Sequence, residues 1–102
     1  MNNFSHPISP KVTRLTVRLS DGRILRFSGR IAWALNALIE AGPRGVVPID
    51  RPAPRWSQYI MSLRRKGIAI ETITESHGGP FKGSHGRYVL TTELVRLEMT
   101  AA

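Results

Sequence analysis

From Val12 to Leu19 the chain alternates apolar with polar or basic positions, VTRLTVRL, and Leu15, Val17 and Leu19 share one face while Val12 has the opposite parity. A period of two sends successive side chains to opposite sides of an extended backbone, so this run predicts a strand. Ser20-Asp21-Gly22-Arg23 follows with an Asp-Gly reversal, and Ile24 to Phe27 offers a return strand, which together make residues 12–27 a β-hairpin. The period then changes. Ile31, Ala34, Leu35, Leu38 and Ile39 recur at helical spacing until Gly42-Pro43 stops them, and a helix is expected over about residues 30–41. Trp33 falls off the stripe that contains Ile31 and Leu35, with a structural role expected under the hairpin or across a dimer contact.

Pro48 and Pro52 restrict Val46–Pro54 to a short strand or a single helical turn. Pro54 suits a first helical turn, where a missing N–H costs nothing, and the pattern predicts a helix over 55–66 capped by Gly67. IAIETITES (68–76) has the branched residues of a strand, HGGPFKGSHG (77–86) reads as a flexible loop, and RYVLT (87–91) as a return strand. The final TELVRLEMTAA adds a short helix or strand. The order hairpin, helix, short connector, helix, hairpin predicts an α+β fold: a winged helix-turn-helix with an N-terminal β-hairpin and a C-terminal two-stranded wing. Its middle helix would be compressed by the prolines. The expected organisation is a flexible N-terminal tail over 1–11, a single domain over 12–97 and a C-terminal tail over 98–102.

Composition changes this picture through charge. Fifteen Lys and Arg against seven Asp and Glu leave a net charge of +8 on 102 residues, a field that favours nucleic acid or another anionic surface. With 41% hydrophobic and 22% charged residues the chain has enough apolar surface for one core. There is no cysteine, which excludes disulfides and thiolate metal sites and suits a reducing compartment. MNNFSHPISP lacks the basic and apolar regions of an export signal, and no run approaches the roughly 18 apolar residues of a membrane span. The expected setting is the bacterial cytoplasm or nucleoid, with no membrane partner.

The expected helix over 55–66 divides its residues by chemistry. Trp56, Tyr59, Ile60 and Leu63 follow the i, i+3, i+4, i+7 pattern of a core face. Ser57, Gln58, Met61, Ser62 and Arg65 lie on the other side, and no acid falls between Arg51 and Ile70. Gln can bond adenine, Arg can bond guanine with two hydrogen bonds, Ser can bond bases or phosphates, and Met can touch a thymine methyl. Ser57, Gln58, Met61 and Arg65 are therefore the candidate base contacts, with Arg55, Ser62, Arg64 and Lys66 as candidate phosphate contacts. Cations at a helix C-terminus also complement the helix dipole and often face solvent, so the charge alone leaves both readings open.

The glycine-containing loop supports the first reading. His77, Lys82, Ser84, His85 and Arg87 surround Gly78, Gly79, Gly83 and Gly86 with no acid after Glu75, a mixture of donors and backbone freedom suited to lying on phosphates. Phe81 would insert against sugar or fold back as a small apolar anchor. His77 and His85, eight residues apart without Cys or a nearby acidic cluster, make a poor metal site, and no metal or cofactor is expected. No paired carboxylates, phosphate-binding glycine motif or nucleophile with a base at a matching spacing points to an enzyme.

The stretches ALIEAGPRGV (37–46), APRWSQYIMSLRRKGIAIET (53–72) and HGGPFKGSHGRYVL (77–90) resemble a family of small winged helix-turn-helix proteins of bacteria, their phages and prophages. The resemblance implies a winged-helix fold and DNA binding, with 55–66 as recognition helix and loop 77–87 as wing. The segment from Val46 to Pro54 departs from a long second helix. The expected function is therefore a double-stranded-DNA-binding protein, a regulator of transcription. The alternative is a phage or prophage adaptor that grips an acidic protein through Met61, Trp33 and Phe81. A homodimer is also expected as a partner arrangement, through the edge of Val12–Leu19.

Overall fold

The computed structural model describes residues 12–48, 55–77 and 83–101. Two strands, β1 (Val12–Leu19) and β2 (Ile24–Ser28), form the expected hairpin. Gly22 takes φ 97° in its turn, and the Leu19 N–H donates to the Arg23 carbonyl at 2.8 Å. Asp21 completes it by accepting from the Arg23 backbone N–H at 3.0 Å and from Arg23 Nε at 2.8 Å. These two hydrogen bonds, the backbone one first, hold the Asp21 carboxyl below the usual carboxylate range.

The first helix, α1 (Gly29–Ala41), packs against β1 and β2. It ends as its sequence implies, with Gly42 at φ 58° donating its N–H to the Leu38 carbonyl. A 3-10 turn, Gly42–Arg44, leads to Val46. The second helix, α2 (Trp56–Arg65), packs on α1, and β3 (Ile70–His77) pairs with β4 (Gly83–Leu90) as the wing. The chain closes with β5 (Leu94–Ala101). Among the described residues the result is an α+β fold of two α-helices and two small antiparallel sheets, ordered β2-β1-β5 and β3-β4. Among the described residues, no helix is long and apolar enough to cross a membrane.

Several expectations change. Residues 94–101 are one strand paired antiparallel to β1, so residues 98–101 extend the sheet instead of forming a tail. With β2 on one side and β5 on the other, β1 is the central strand, and its edge is not open to a second copy. Val12 is buried with Leu15, Val17 and Leu19 despite its opposite parity, because a register shift between Val12 and Arg14 turns it to the core side. The wing strands reach further into the glycine-containing stretch than expected, pairing out to His77 and Gly83, since the ladder is made by backbone groups that glycine also carries. No α-helix lies between α1 and α2 among the described residues. Residues 49–54 and the tail 1–11 lie outside them.

A second register shift, between Thr16 and Val17, sets Arg96 of β5 opposite the core-facing Val17. Bulges of this kind re-aim a side chain. Arg96 Nη1 donates to Oδ1 of Asn36, which is 2% exposed in α1, and lies 3.8 Å from Glu40 Oε2. A buried amide oxygen without a donor would carry its full desolvation cost, and Arg96 supplies that donor.

The core runs from β1 and Phe27 through α1 to Trp56, Ile60 and Leu63 of α2, then to Ile68 and Ile70. Trp33 is half-buried against the core. Its ring packs on Trp56, with centroids 5.4 Å apart, while Trp56 also stacks on Tyr88 of β4 at 6.3 Å and meets Tyr59 edge-on at 6.4 Å. Removing a buried indole at such a junction, as in Trp56→Ala, should lower unfolding free energy by about 3–5 kcal/mol. Chemical denaturation of the variant checks this.

Gly45 shows how the connector reaches the wing. Val46 and Tyr88 exchange N–H···O bonds of 2.8 and 2.9 Å, and a Cβ added at Gly45 (φ 72°) would sit 2.6 Å from the Tyr88 carbonyl oxygen. The backbone, not a flexible side chain, would have to yield. Gly45→Ala should destabilise the fold by about 2–3 kcal/mol through left-handed strain and this clash. A lowered denaturation midpoint with an unchanged slope would show it.

Candidate nucleic-acid interface

Helix α2 begins at Arg55, whose φ of 100° and ψ of 23° are left-handed and uncommon for a residue with a side chain. The Arg55 carbonyl accepts from the N–H groups of Gln58 at 2.9 Å and Tyr59 at 3.0 Å, starting the helix. The Arg55 side chain turns along that helix as well, its Nη1 donating to Gln58 Oε1 at 3.2 Å. Gln58 thereby accepts one hydrogen bond on its oxygen, which keeps a second lone pair beside the two N–H donors of the amide.

The far end of α2 is a Schellman motif. The Ile68 N–H donates to the Leu63 carbonyl at 3.1 Å and the Gly67 N–H to the Arg64 carbonyl at 3.1 Å, with Gly67 at φ 97°. Leu63 and Ile68, the apolar pair that accompanies such a cap, are both buried. Between these ends Trp56, Ile60 and Leu63 are buried, while Ser57, Gln58 and Arg65 are exposed and Met61 is 52% exposed. The four candidate base contacts therefore share an open face that carries no carboxylate. Ser62 is half-buried, and Arg55 and Lys66 are exposed at the two ends.

Two candidate phosphate contacts bond to other groups of the protein, Arg64 while exposed and Arg87 while half-buried. Arg64 donates to the Ile70 carbonyl from Nε at 3.2 Å and Nη2 at 2.6 Å, and from Nη2 to Thr72 Oγ1 at 3.0 Å. This clasp joins the end of α2 to β3. Arg87 of β4 pairs with Glu75 of β3 at 2.8 Å and donates to the Arg44 carbonyl at 2.7 Å, tying the wing to the 3-10 turn. Lys82 and Phe81 lie outside the described residues. His77 and Ser84 with His85 are placed only as strand positions of β3 and β4.

Two cations absent from the expected set stand beside α2. Arg30 of α1 lies 5.1 Å from the Trp33 ring centroid, and its Nε donates to the Tyr59 hydroxyl at 3.3 Å. Arg23, from the hairpin turn, reaches over the α2 C-terminus, its Nη1 lying 3.3 Å from where a Cβ on Gly67 would stand. Neither carries a local sequence signal, because each comes to α2 from another element. With Arg55, Arg65 and Lys66 they give α2 a basic rim, the kind of surface that attracts phosphates.

The internal clasp and the open arginine should separate in stability measurements. Arg64→Ala is expected to lower unfolding free energy by about 1 kcal/mol, a charge-assisted hydrogen bond discounted for partial exposure. Arg65→Ala should change it by less than about 0.5 kcal/mol, as surface substitutions usually do. Urea denaturation of the two variants side by side reads the contrast.

Comparison with known protein families matches residues 24–100 to a winged helix domain. No curated protein matches the chain, and no solved structure does. The matched span begins at β2 and runs through both helices, the wing and nearly all of β5. It covers well over half of the 102 residues, and the chain belongs to the winged helix domain family.

Proposed function

We propose that this protein binds double-stranded DNA and regulates transcription, with α2 in the major groove and the 77–87 segment as wing. Winged helix domains commonly bind DNA, and none of the arrangement around α2 calls for an enzyme. One observation carries the reading: Ser57, Gln58, Met61 and Arg65 stand together on an acid-free face while Trp56, Ile60 and Leu63 fix the helix from behind. With its side chains an α-helix is about 10–12 Å across, and the major groove, about 12 Å wide, admits it.

In this reading Arg65 pairs with guanine O6 and N7. Gln58, positioned by the bond from Arg55, offers its amide and the free lone pair of its oxygen to adenine. Met61 packs on a thymine methyl, and Ser57 bonds a base edge. Arg55, Ser62, Lys66, Lys82, His77, Ser84 and His85 face phosphates, where Arg23 and Arg30 extend the same field. Arg64 and Arg87 contribute first by holding α2 and the wing in place.

Exposed Met61 favours a second reading, capture of an acidic protein partner with Met61 as an apolar anchor. The two separate by mutation. Selection of duplexes from a random pool should yield one shared motif, and Arg65→Ala should cost about 1–3 kcal/mol while relaxing one base position. If about six cations meet phosphate, the log–log salt slope lies near −5. A slope near zero, or partner capture lost on Met61→Asp but indifferent to Arg65→Ala and Lys82→Ala, would overturn the DNA reading in favour of the adaptor.

A further inference from the structure

The three-stranded sheet has a second basic face. Leu15 and Val17 turn inward, so Arg14, Thr16 and Arg18 of β1 turn outward. The register sets Arg26 of β2 directly opposite Thr16. Arg14, Arg18 and Arg26 form a triangle around Thr16, with Arg14 and Arg18 about 13 Å apart along the strand. Helix α1 packs on the other face of this sheet and carries α2, so the triangle is separate from the candidate DNA-reading helix.

We propose that this outer sheet face holds the phosphate backbone of a second DNA duplex, so that one copy of the protein joins two DNA segments. The proposal rests on the DNA-binding reading of α2 and adds a surface to it. Charge complementarity selects the occupant. Like charges on neighbouring positions of a sheet repel, and an anion that spans them removes the repulsion. Among the described residues, no ion pair joins any of the three to an acid, including Glu98, which stands across Thr16 on β5.

An open edge often carries cations to deter strand pairing, but Arg14 and Arg18 are on the central strand, where that role does not apply. At the triangle, Thr16, Ser28 and Thr100 line a depression of about 580 Å³ with Arg14, Arg26 and Glu98. Hydroxyls beside guanidinium groups are the usual donors to phosphate oxygens. Phosphates on one DNA strand recur about every 3.4 Å along the axis, so the roughly 13 Å reach of Arg14 to Arg18 spans about four of them.

The test uses short duplexes, too short to wrap from one face to the other. One duplex is tethered, saturated with protein and washed, and a second, fluorescent duplex is passed over it. The wild-type protein should retain the second duplex. Arg14→Thr, Arg18→Thr and Arg26→Thr combined should leave the first binding step within about twofold while reducing retention of the second at least about tenfold, because each guanidinium taken away leaves one phosphate with its counterions still condensed on it. Circular dichroism and the unfolding midpoint confirm that the triple variant folds. Retention unchanged in the triple variant would overturn the proposal, and would assign bridging to a dimer. So would a wild-type protein that retains no second duplex, or retention abolished equally by a soluble acidic peptide and by heparin but not by competing duplex.

Failure of the α2 reading looks different. In a Gln58→Ala, Arg65→Ala protein, duplex binding that persists and then vanishes on adding the three sheet substitutions supports the sheet face even where α2 does not read DNA. Persistence in the combined variant overturns it.

Discussion

Trp56 is the contact on which the geometry of this domain depends. A helix of ten residues is marginal by itself, and α2 is held by what its buried face touches. The Trp56 indole meets Trp33 of α1, Tyr59 of its own helix and Tyr88 of the wing within 6.4 Å, so one side chain sets the angle of α2 to both α1 and β4. Each aromatic pair adds about 0.5–1.5 kcal/mol beyond area burial. Their larger effect is orientation, because three rings at fixed angles leave little freedom to rotate the helix about its axis. The face of Ser57, Gln58, Met61 and Arg65 is thereby aimed from behind.

Around that stack, polar clasps complete the frame. Arg64 joins the end of α2 to β3, and Arg87 joins β4 to the 3-10 turn, while the Val46–Tyr88 bridge brings the connector against the wing. Both arginines read from sequence as surface cations available to phosphate. Their acceptors include the backbone carbonyls of Ile70 and Arg44, which exist at every residue and so leave no mark in the sequence. The wing and the helix are fastened together before any ligand arrives, and binding then need not bear the entropy of aligning them.

What the sequence revealed and what it hid have physical explanations. The period of two in Leu15, Val17 and Leu19, the Asp21-Gly22 reversal, the α1 stripe ending at Gly42 and the Gly67 cap are local signals, and each became the expected element. The division of α2 into an anchoring and an open face was also visible, because helical spacing alone decides it. Strand β5 was ambiguous since the register shift at Thr16 and Val17 breaks its alternation, leaving LVRLEMTA without a clean period. The contact of Trp33 with Trp56 leaves no trace in the local pattern, because the two are far apart in sequence. Arg23 and Arg30 were overlooked for the same reason: a cation brought over a helix by another element has no spacing to betray it.

The pairing of β1 with β5 also orders events during synthesis. Val12 lies across from Ala101, so the central strand gains its second neighbour only after both helices and the wing have been made. Until then a nascent chain carries β1 with one side of its backbone unpaired and an incomplete cover over its apolar face, the condition in which strands join wrong partners. Asn36 in α1 likewise waits for Arg96 to supply its donor. Translation halted before residue 94 would leave a helix and wing able to form locally beside a sheet that cannot close. The sheet of this domain is complete only once β5 is in place beside β1.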